Sequence, residues 1–227
     1  MAMSKKQSLM QRDNIIRAAV MGANDGILSV SGIILGVAGA TSYTGTILLA
    51  GFAGTLAGTV SMAMGEYVSV SSQHDAEEKV RRVQTKALAD DYNKEFDFVQ
   101  KKYEAHGISL ELAQQATREM MNMDPLVTTV RERYGFSLDH ELSAKDAALA
   151  SLISFPIGSV LPMLAISLSS LRVRELVTFF AVIVALAITG YTAAYLNGAD
   201  KRHSAIRNVL AGVFTMLVTY AIGSFFR

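Results

Sequence analysis

Apolar residues gather into five long runs along the chain: Ala18 to Ala40, Thr46 to Val70, Ala147 to Leu168, Leu176 to Leu196 and Val209 to Phe226. The shortest has 18 residues and the longest 25, and a helix of about 20 apolar residues is what crosses a bilayer core about 30 Å thick. Five membrane-spanning helices are therefore predicted. Two acidic residues alone interrupt the runs, Asp25 in the first and Glu66 in the second. Between Ser71 and Lys145 the pattern changes. Here Val80, Val83 and Ala87, then Phe96, Val99 and Tyr103, recur at steps of three and four, the period of half-buried helices. Gly107 before Ser109 marks a stop and restart, Asp124-Pro125 is an N-cap with proline at the first helical position, and Gly135 ends that short helix. Ser143-Ala-Lys-Asp146 resembles a capping box at the start of the third span. No strand alternation or internal repeat interrupts these patterns. The expected fold class is an all-α membrane protein of five transmembrane helices, with a helical cytoplasmic insert between the second and third. It divides into residues 1–70 (N-terminus and spans one and two), 71–145 (the insert) and 146–227 (spans three to five).

Charge changes the picture by placing this insert. It holds 11 of the 21 Lys and Arg and 14 of the 20 Asp and Glu, a formal −3 in a chain of +1. Nucleic-acid binding is excluded, because that needs clustered positive charge against phosphate. The chain has no cysteine, which excludes disulfides, thiolate zinc sites and thiol catalysis. The first run is too long for a signal-peptide core and contains Asp25, so it is read as a retained span. Five spans put the termini on opposite sides. The N-terminal side carries Lys5, Lys6, Arg12, Arg17, Lys201, Arg202 and Arg207 in its short flanks, the other side Arg172, Arg174 and Arg227. The positive-inside rule then places the N-terminus and the insert in the cytoplasm and the C-terminus opposite. No receptor-read address is visible, and a cell membrane is expected rather than an organelle.

Candidate chemistry lies in the first two spans. Gly22, Asp25, Ser29, Gly32, Gly36 and Gly39 step by three and four along one helix face, a small-residue stripe of the kind that lets helices approach closely in lipid. An intramembrane carboxylate such as Asp25 is costly and marks a cavity or a partner. In the second span Gly51, Gly54, Gly58, Ser61 and Gly65 form the small face, and Thr55, Thr59, Met62, Glu66, Ser69 and Gln73 a neighbouring polar stripe. Met62 and Glu66 lie one turn apart. A carboxylate beside a thioether suits a first-row divalent ion such as Fe²⁺ better than Mg²⁺ or Ca²⁺, which prefer oxygen alone. None of His74, His106, His140 and His203 lies in a span, which disfavours zinc. Pro156 and Pro162 should each break a backbone hydrogen bond in the third span and kink it.

The segments Gly22-Ala-Asn-Asp25-Gly26, Gly51-Phe-Ala-Gly54, Ser61-Met-Ala-Met-Gly-Glu66-Tyr-Val-Ser-Val-Ser-Ser-Gln73, Ser154-Phe-Pro-Ile-Gly158 and Thr219-Tyr-Ala-Ile-Gly223 together resemble the vacuolar iron transporter family. The resemblance covers all five spans in order. It implies a homodimeric antiporter that exports Fe²⁺, or Mn²⁺, from the cytoplasm in exchange for protons, with a path lined by the first two spans. By motif, Asp25, Met62 and Glu66 match the family's metal-path residues. The metal is a substrate, and no resident cofactor is implied. In the insert, members with an iron-binding domain resemble one another in two Glu-x-x-Glu pairs and a later Met and Glu four apart. The matching positions here are Gln84, Ala87, Glu95 and Phe98, then Thr129 and Arg133. Glu95 alone fits the pattern, so little metal affinity is expected of the insert. The cluster Glu119-Met120-Met121-Asn-Met123-Asp124 is an alternative metal site weighed against ordinary packing.

Two other classes compete with transport. A non-transporting metal sensor or scaffold would keep the fold, but it would gain stability by losing Asp25 and Glu66. An enzyme needs a nucleophile, base and oxyanion arrangement or a nucleotide-binding glycine loop, and no such pattern is present.

Overall fold

The computed structural model describes residues 2–138 and 142–227, with side chains from residue 11 onward. His140 and the side chains of Lys5 and Lys6 lie outside the described residues. Eight helices and no strand are present among them: α1 (Ala2–Ala40), α2 (Thr44–Asp90), α3 (Tyr92–Ala105), α4 (Leu110–Met123), α5 (Pro125–Tyr134), α6 (Ala144–Leu168), α7 (Arg174–Leu196) and α8 (Lys201–Ser224). Five are long and apolar enough to cross a membrane: α1 from Gln11 onward, α2, α6, α7 and α8. The chain divides into two compact units, Arg12–Val68 with Ser143–Arg227, and Met1–Gln11 with Ser69–Leu142. The 47-residue α2 passes from one to the other without a break.

The punctuation follows the sequence closely. Asp124 Oδ1 accepts from the Val127 amide at 2.9 Å with Pro125 at the first position, and α5 closes on Gly135 at φ 79°, a left-handed turn that glycine adopts without strain. Ser143 Oγ accepts from the Asp146 amide at 3.2 Å to open α6. The boundary between α2 and α3 carries no such advertisement. Asp91 makes it by accepting from the Lys94 amide at 3.0 Å. α6 stays helical through both Pro156 and Pro162, so neither ends the span.

In the spanning unit, α1 is the central element: 44% of its most apolar stretch is buried, against 33% or less for the other four. Its glycines explain this. A Cβ on Gly26 would run into the Phe155 carbonyl oxygen of α6, and one on Gly158 of α6 would run into the Ala23 carbonyl oxygen of α1. The two backbones thus touch reciprocally. Farther along, a Cβ on Gly223 of α8 would strike the Gly36 carbonyl oxygen, and one on Gly39 would come within 2.6 Å of the Tyr220 carbonyl oxygen. Lipid tails are as apolar as leucine, so helices associate in a bilayer by this close van der Waals contact and by hydrogen bonds. Val30, Ile34 and Ala38 of α1 pack with Ile47, Phe155 and Ile166 on one side of the helix. Ile27 and Leu35 pack with Val182, Leu186 and Met216 on the other.

The α1 stripe is therefore spent within one chain. Gly22 meets Ser151 and Ser154 of α6, and Gly32, Gly36 and Gly39 meet Thr215, Thr219, Tyr220 and Ser224 of α8. A face this small could also join two copies, but here α8 covers it. The small face of α2 is used likewise, with Gly51 and Gly54 against Ile34 and Ile33 of α1, and Gly58 against Phe155.

Replacing Gly158 by Leu should force α1 and α6 apart, at an overpacking cost of at least about 1–3 kcal/mol. Gly65 has nothing within 4 Å of its Cβ position, and Gly65→Ala should gain up to about 1 kcal/mol of helix propensity. Thermal unfolding in detergent checks the contrast, and equal midpoints for the two variants would contradict the crossing as the tight point.

Candidate functional site

Asp25, Met62 and Glu66 take three different kinds of partner. Asp25 is half-buried on α1, and Ser29, one turn on, donates to its Oδ1 at 2.6 Å. Met62 packs against the apolar cluster of Val30, Ile34, Ile47 and Phe155. Glu66 is 7% exposed and is bound by Arg17 of α1, whose Nη2 lies 3.0 Å from Oε2 and whose Nη1 lies 3.4 Å from Oε1. Sequence reasoning used Arg17 as a flank charge for topology and missed it as the counter-ion of Glu66. The pair is 49 residues apart, and only the antiparallel return of α2 beside α1 could have shown it. Among the described residues no group of three or more His, Asp or Glu side chains converges as a preformed metal cluster.

Two threonines of the predicted polar stripe bond to their own helix. Thr59 donates to the Thr55 carbonyl at 2.7 Å, and Thr55 to the Gly51 carbonyl at 2.8 Å. A polar junction that the sequence did not announce lies next to Asp25. Asn24 Oδ1 accepts from Asn208 Nδ2 of α8 at 2.7 Å and from Thr189 Oγ1 of α7 at 3.2 Å, which joins three spans at one amide. Interhelical hydrogen bonds of this kind contribute roughly 0.6–2 kcal/mol each in a bilayer. At the other end of α1, Arg174 is 2% exposed and donates to Thr44 Oγ1 at 2.9 Å and to the Ser42 carbonyl at 3.0 Å. It ties the α1–α2 turn to α7, although its sequence position reads as a free flank charge.

In the unit that contains α3, α4 and α5, Glu95 is buried and both its oxygens are taken. Arg133 Nη2 reaches them at 2.8 and 3.0 Å, and Gln84 Nε2 donates to Oε2 at 2.6 Å. The Arg133 guanidinium also lies 3.9 Å over the Phe98 ring. Gln84, Phe98 and Arg133 are among the positions where the sequence departs from a carboxylate-rich pattern; Gln84 and Arg133 bind the one carboxylate that is kept, and Phe98 packs on the arginine. The Glu119 to Asp124 cluster is dispersed: Met121 is in the core, Met123 is 87% exposed, Glu119 accepts from Gln115 at 3.0 Å, and Asp124 caps α5. Met120 Sδ instead accepts from Arg131 at 3.3 Å.

A second network in this unit centres on Glu132, which accepts from Tyr103 Oη at 2.9 Å and pairs with Lys102 at 3.2 Å and Arg131 at 2.9 Å. Burial alone works against its charge, yet the hydrogen bonds from Tyr103, Lys102 and Arg131 prevail and hold its carboxyl below the usual range. Burial, then the neighbouring carboxylate, raises the Tyr103 phenol.

With the geometry in place, comparison with known proteins decides the family. A profile of the VIT family matches residues 16–224. The chain belongs to the VIT family. It is 30% identical to vacuolar iron transporter homolog 2.1 of Arabidopsis thaliana over 95% of this chain and 83% of that protein. Its identity to vacuolar iron transporter homolog 5 of Oryza sativa subsp. japonica is 32%, over 100% and 87%. For the vacuolar iron transporter of Acanthamoeba castellanii (strain ATCC 30010 / Neff) it is 30%, over 96% and 81%. The matched span includes α1 from Ile16 and the whole of the VIT-family chain's other spanning helices.

Because the Glu132 carboxyl is depressed in the folded chain, its contribution to stability is complete above its unfolded value near 4.5 and is lost as pH falls through the lower folded value. Acidification below about pH 4.5 should loosen α3 and α5 first, by hydrogen exchange in the intact protein. Glu132→Gln should lower protection at pH 7 and flatten its acid dependence. Protection that falls with the same pH profile in this variant would assign the acid sensitivity to another group.

Proposed function

We propose that this VIT-family chain carries Fe²⁺ or Mn²⁺ out of the cytoplasm in exchange for protons, along a path that uses Asp25, Met62 and Glu66. The observation that carries this reading is Asp25 itself: a carboxylate within an apolar span, whose hydrogen bond to Ser29 occupies one oxygen and comes from its own helix. Such a group is costly in lipid and persists where it serves an ion or proton. A carboxylate can ligate a divalent ion when ionised and hold a proton when the ion has left, which is the simplest exchange cycle. Met62 supplies a soft donor on α2, and with oxygen ligands that combination favours first-row ions over Mg²⁺ and Ca²⁺.

The topology proposed with it has a cytoplasmic N-terminus, a cytoplasmic segment at residues 71–145 and the C-terminus opposite. Burial of Arg174 removes one basic residue from the non-cytoplasmic count and leaves the sign of the bias unchanged. In that segment Arg133 and Gln84 occupy Glu95, which supports a structural role rather than a tight metal store. A homodimer is proposed from the family resemblance. Since α8 covers the α1 glycines, the α2 row Phe52, Leu56, Val60 and Met64, exposed along one face, is the surface we assign to it. The relatives are named as vacuolar, which lends no support to a cell-membrane location. A non-transporting sensor is disfavoured by the retention of Asp25.

Proteoliposomes loaded with a metal-sensitive dye test the reading across a panel of Fe²⁺, Mn²⁺, Zn²⁺, Mg²⁺ and Ca²⁺, with and without a pH gradient. Asp25→Asn keeps shape and an oxygen ligand but loses the titratable charge, and flux should fall at least about tenfold, the equivalent of about 1.4 kcal/mol, with protein abundance little changed. Met62→Leu preserves apolar volume and should lower Fe²⁺ flux relative to Mn²⁺. Wild-type flux and pH dependence in Asp25→Asn would remove the central residue of the mechanism.

A further inference from the structure

Arg17 does more than meet Glu66. Its guanidinium has four acceptors around it: Glu66 Oε2 and Asn14 Oδ1, each 3.0 Å from Nη2, and Glu66 Oε1 at 3.4 Å and Met21 Sδ at 3.2 Å from Nη1. Asn14, Arg17 and Met21 step by three and four along one face of α1, and Glu66 reaches in from α2. A carboxylate, an amide oxygen and a thioether thus converge on one cation. Asn14 shows how far this is built in, because its amide turns its oxygen to the guanidinium while its Nδ2 is buried without a hydrogen-bond partner among the described residues. The two members of the ion pair differ in freedom. The Glu66 side chain is 7% exposed and fixed, whereas that of Arg17 is 45% exposed, so the guanidinium can swing into solvent while the acceptors stay.

We propose that Arg17 is a displaceable stand-in for a divalent metal ion, and that Asn14, Met21 and Glu66 form a transient metal station at this end of the α1–α2 pair. The inference rests on the transport reading for its choice of ion. The donor set agrees with that choice: oxygen with thioether sulfur suits a first-row divalent ion such as Fe²⁺, whereas Mg²⁺ and Ca²⁺ take oxygen alone. Charge sets the lifetime. Glu66 and Arg17 together are neutral, and a divalent ion on the single carboxylate leaves one positive charge, with Arg17 still nearby. Occupancy is therefore brief, as a station on a path requires, and the returning guanidinium competes the ion off. Arg17 is in this sense a positioning and competing residue, and Glu66 the ligand.

The test uses the full chain in detergent and Mn²⁺ as the probe, with free ion followed by its paramagnetic resonance signal, and it needs no transport. Arg17→Gln should bind Mn²⁺ about tenfold more tightly, the scale of one charged hydrogen-bonding partner that no longer competes. The gain should vanish in Arg17→Gln with Glu66→Gln and shrink in Arg17→Gln with Asn14→Ala, which removes the amide oxygen that suits Mn²⁺. Arg17→Lys, whose ammonium cannot span four acceptors, should tighten binding by a smaller factor, and it carries the test if Arg17→Gln does not fold. Unchanged or weaker Mn²⁺ binding in the arginine variants overturns the proposal, including the case in which only the melting temperature falls, which makes the pair a structural staple. A gain that persists without Glu66 overturns it too, since general charge removal then explains the effect. If wild-type proteoliposomes carry no metal while this binding pattern holds, the transport reading fails and the station stands. Robust transport with unchanged Mn²⁺ binding in the arginine variants has the opposite meaning: transport stands and the station fails.

Discussion

Contact between bare helix backbones, α1 against α6 at Gly26 and Gly158 and α1 against α8 at Gly36 and Gly223, is the constraint from which the spanning unit follows. In lipid, apolar side chains gain nothing by leaving the solvent, so helices are held where their surfaces fit closely. A methyl group at any of these positions would meet backbone or side-chain atoms of the neighbouring helix, a carbonyl oxygen in each case. The register of α1 is thereby fixed between two crossings. Asn24 and Asp25 lie within the first, next to Gly26, and their placement is a consequence of the crossing rather than of their own bonds.

Fixed register lets several polar groups find partners, as a bilayer favours, although Ser151 Oγ is buried without one among the described residues. Asn24 points to α7 and α8 and finds Thr189 and Asn208. Ser159 donates to the Phe155 carbonyl at 2.9 Å beside the crossing. Arg174, buried at the far end, closes the α1–α2 turn. Against this background Asp25 stands apart, since its partner is Ser29 on its own helix and, among the described residues, no basic side chain is paired with it. The fold thus leaves one carboxylate in an apolar span with a neutral hydroxyl as its hydrogen-bond partner.

Much of this was legible in the residues. Five runs of apolar sequence became five long helices, and the caps at Asp124, Gly135 and Ser143 were readable because each is a local event, made by groups three or four positions apart. The break at Asp91 was not, since Ala-Asp-Asp-Tyr contains neither glycine nor proline and its cap uses the same local chemistry without the usual signal. The glycine stripe of α1 was legible but its partner was not: spacing shows that a face is small, not which helix covers it. The pairings Arg17 with Glu66 and Arg133 with Glu95 span 49 and 38 residues, and the period of a single helix carries no information about either.

Those two pairs answer a common problem in different ways. Each sets an arginine on a buried carboxylate, and burying a carboxylate without a cation is expensive. A guanidinium and a divalent ion are alternative solutions, since both present positive charge to several acceptors at once. What separates them is the freedom of the arginine. Arg133 lies over the Phe98 ring and shares its carboxylate with Gln84, whose side chain is 1% exposed, so removing it would strip an aromatic contact as well as an ion pair. Arg17 is held by its acceptors alone among the described residues, and its side chain is nearly half exposed. The arginine is locked on its carboxylate in one unit and freer in the other, and only the freer pair is compatible with the transient metal station proposed above.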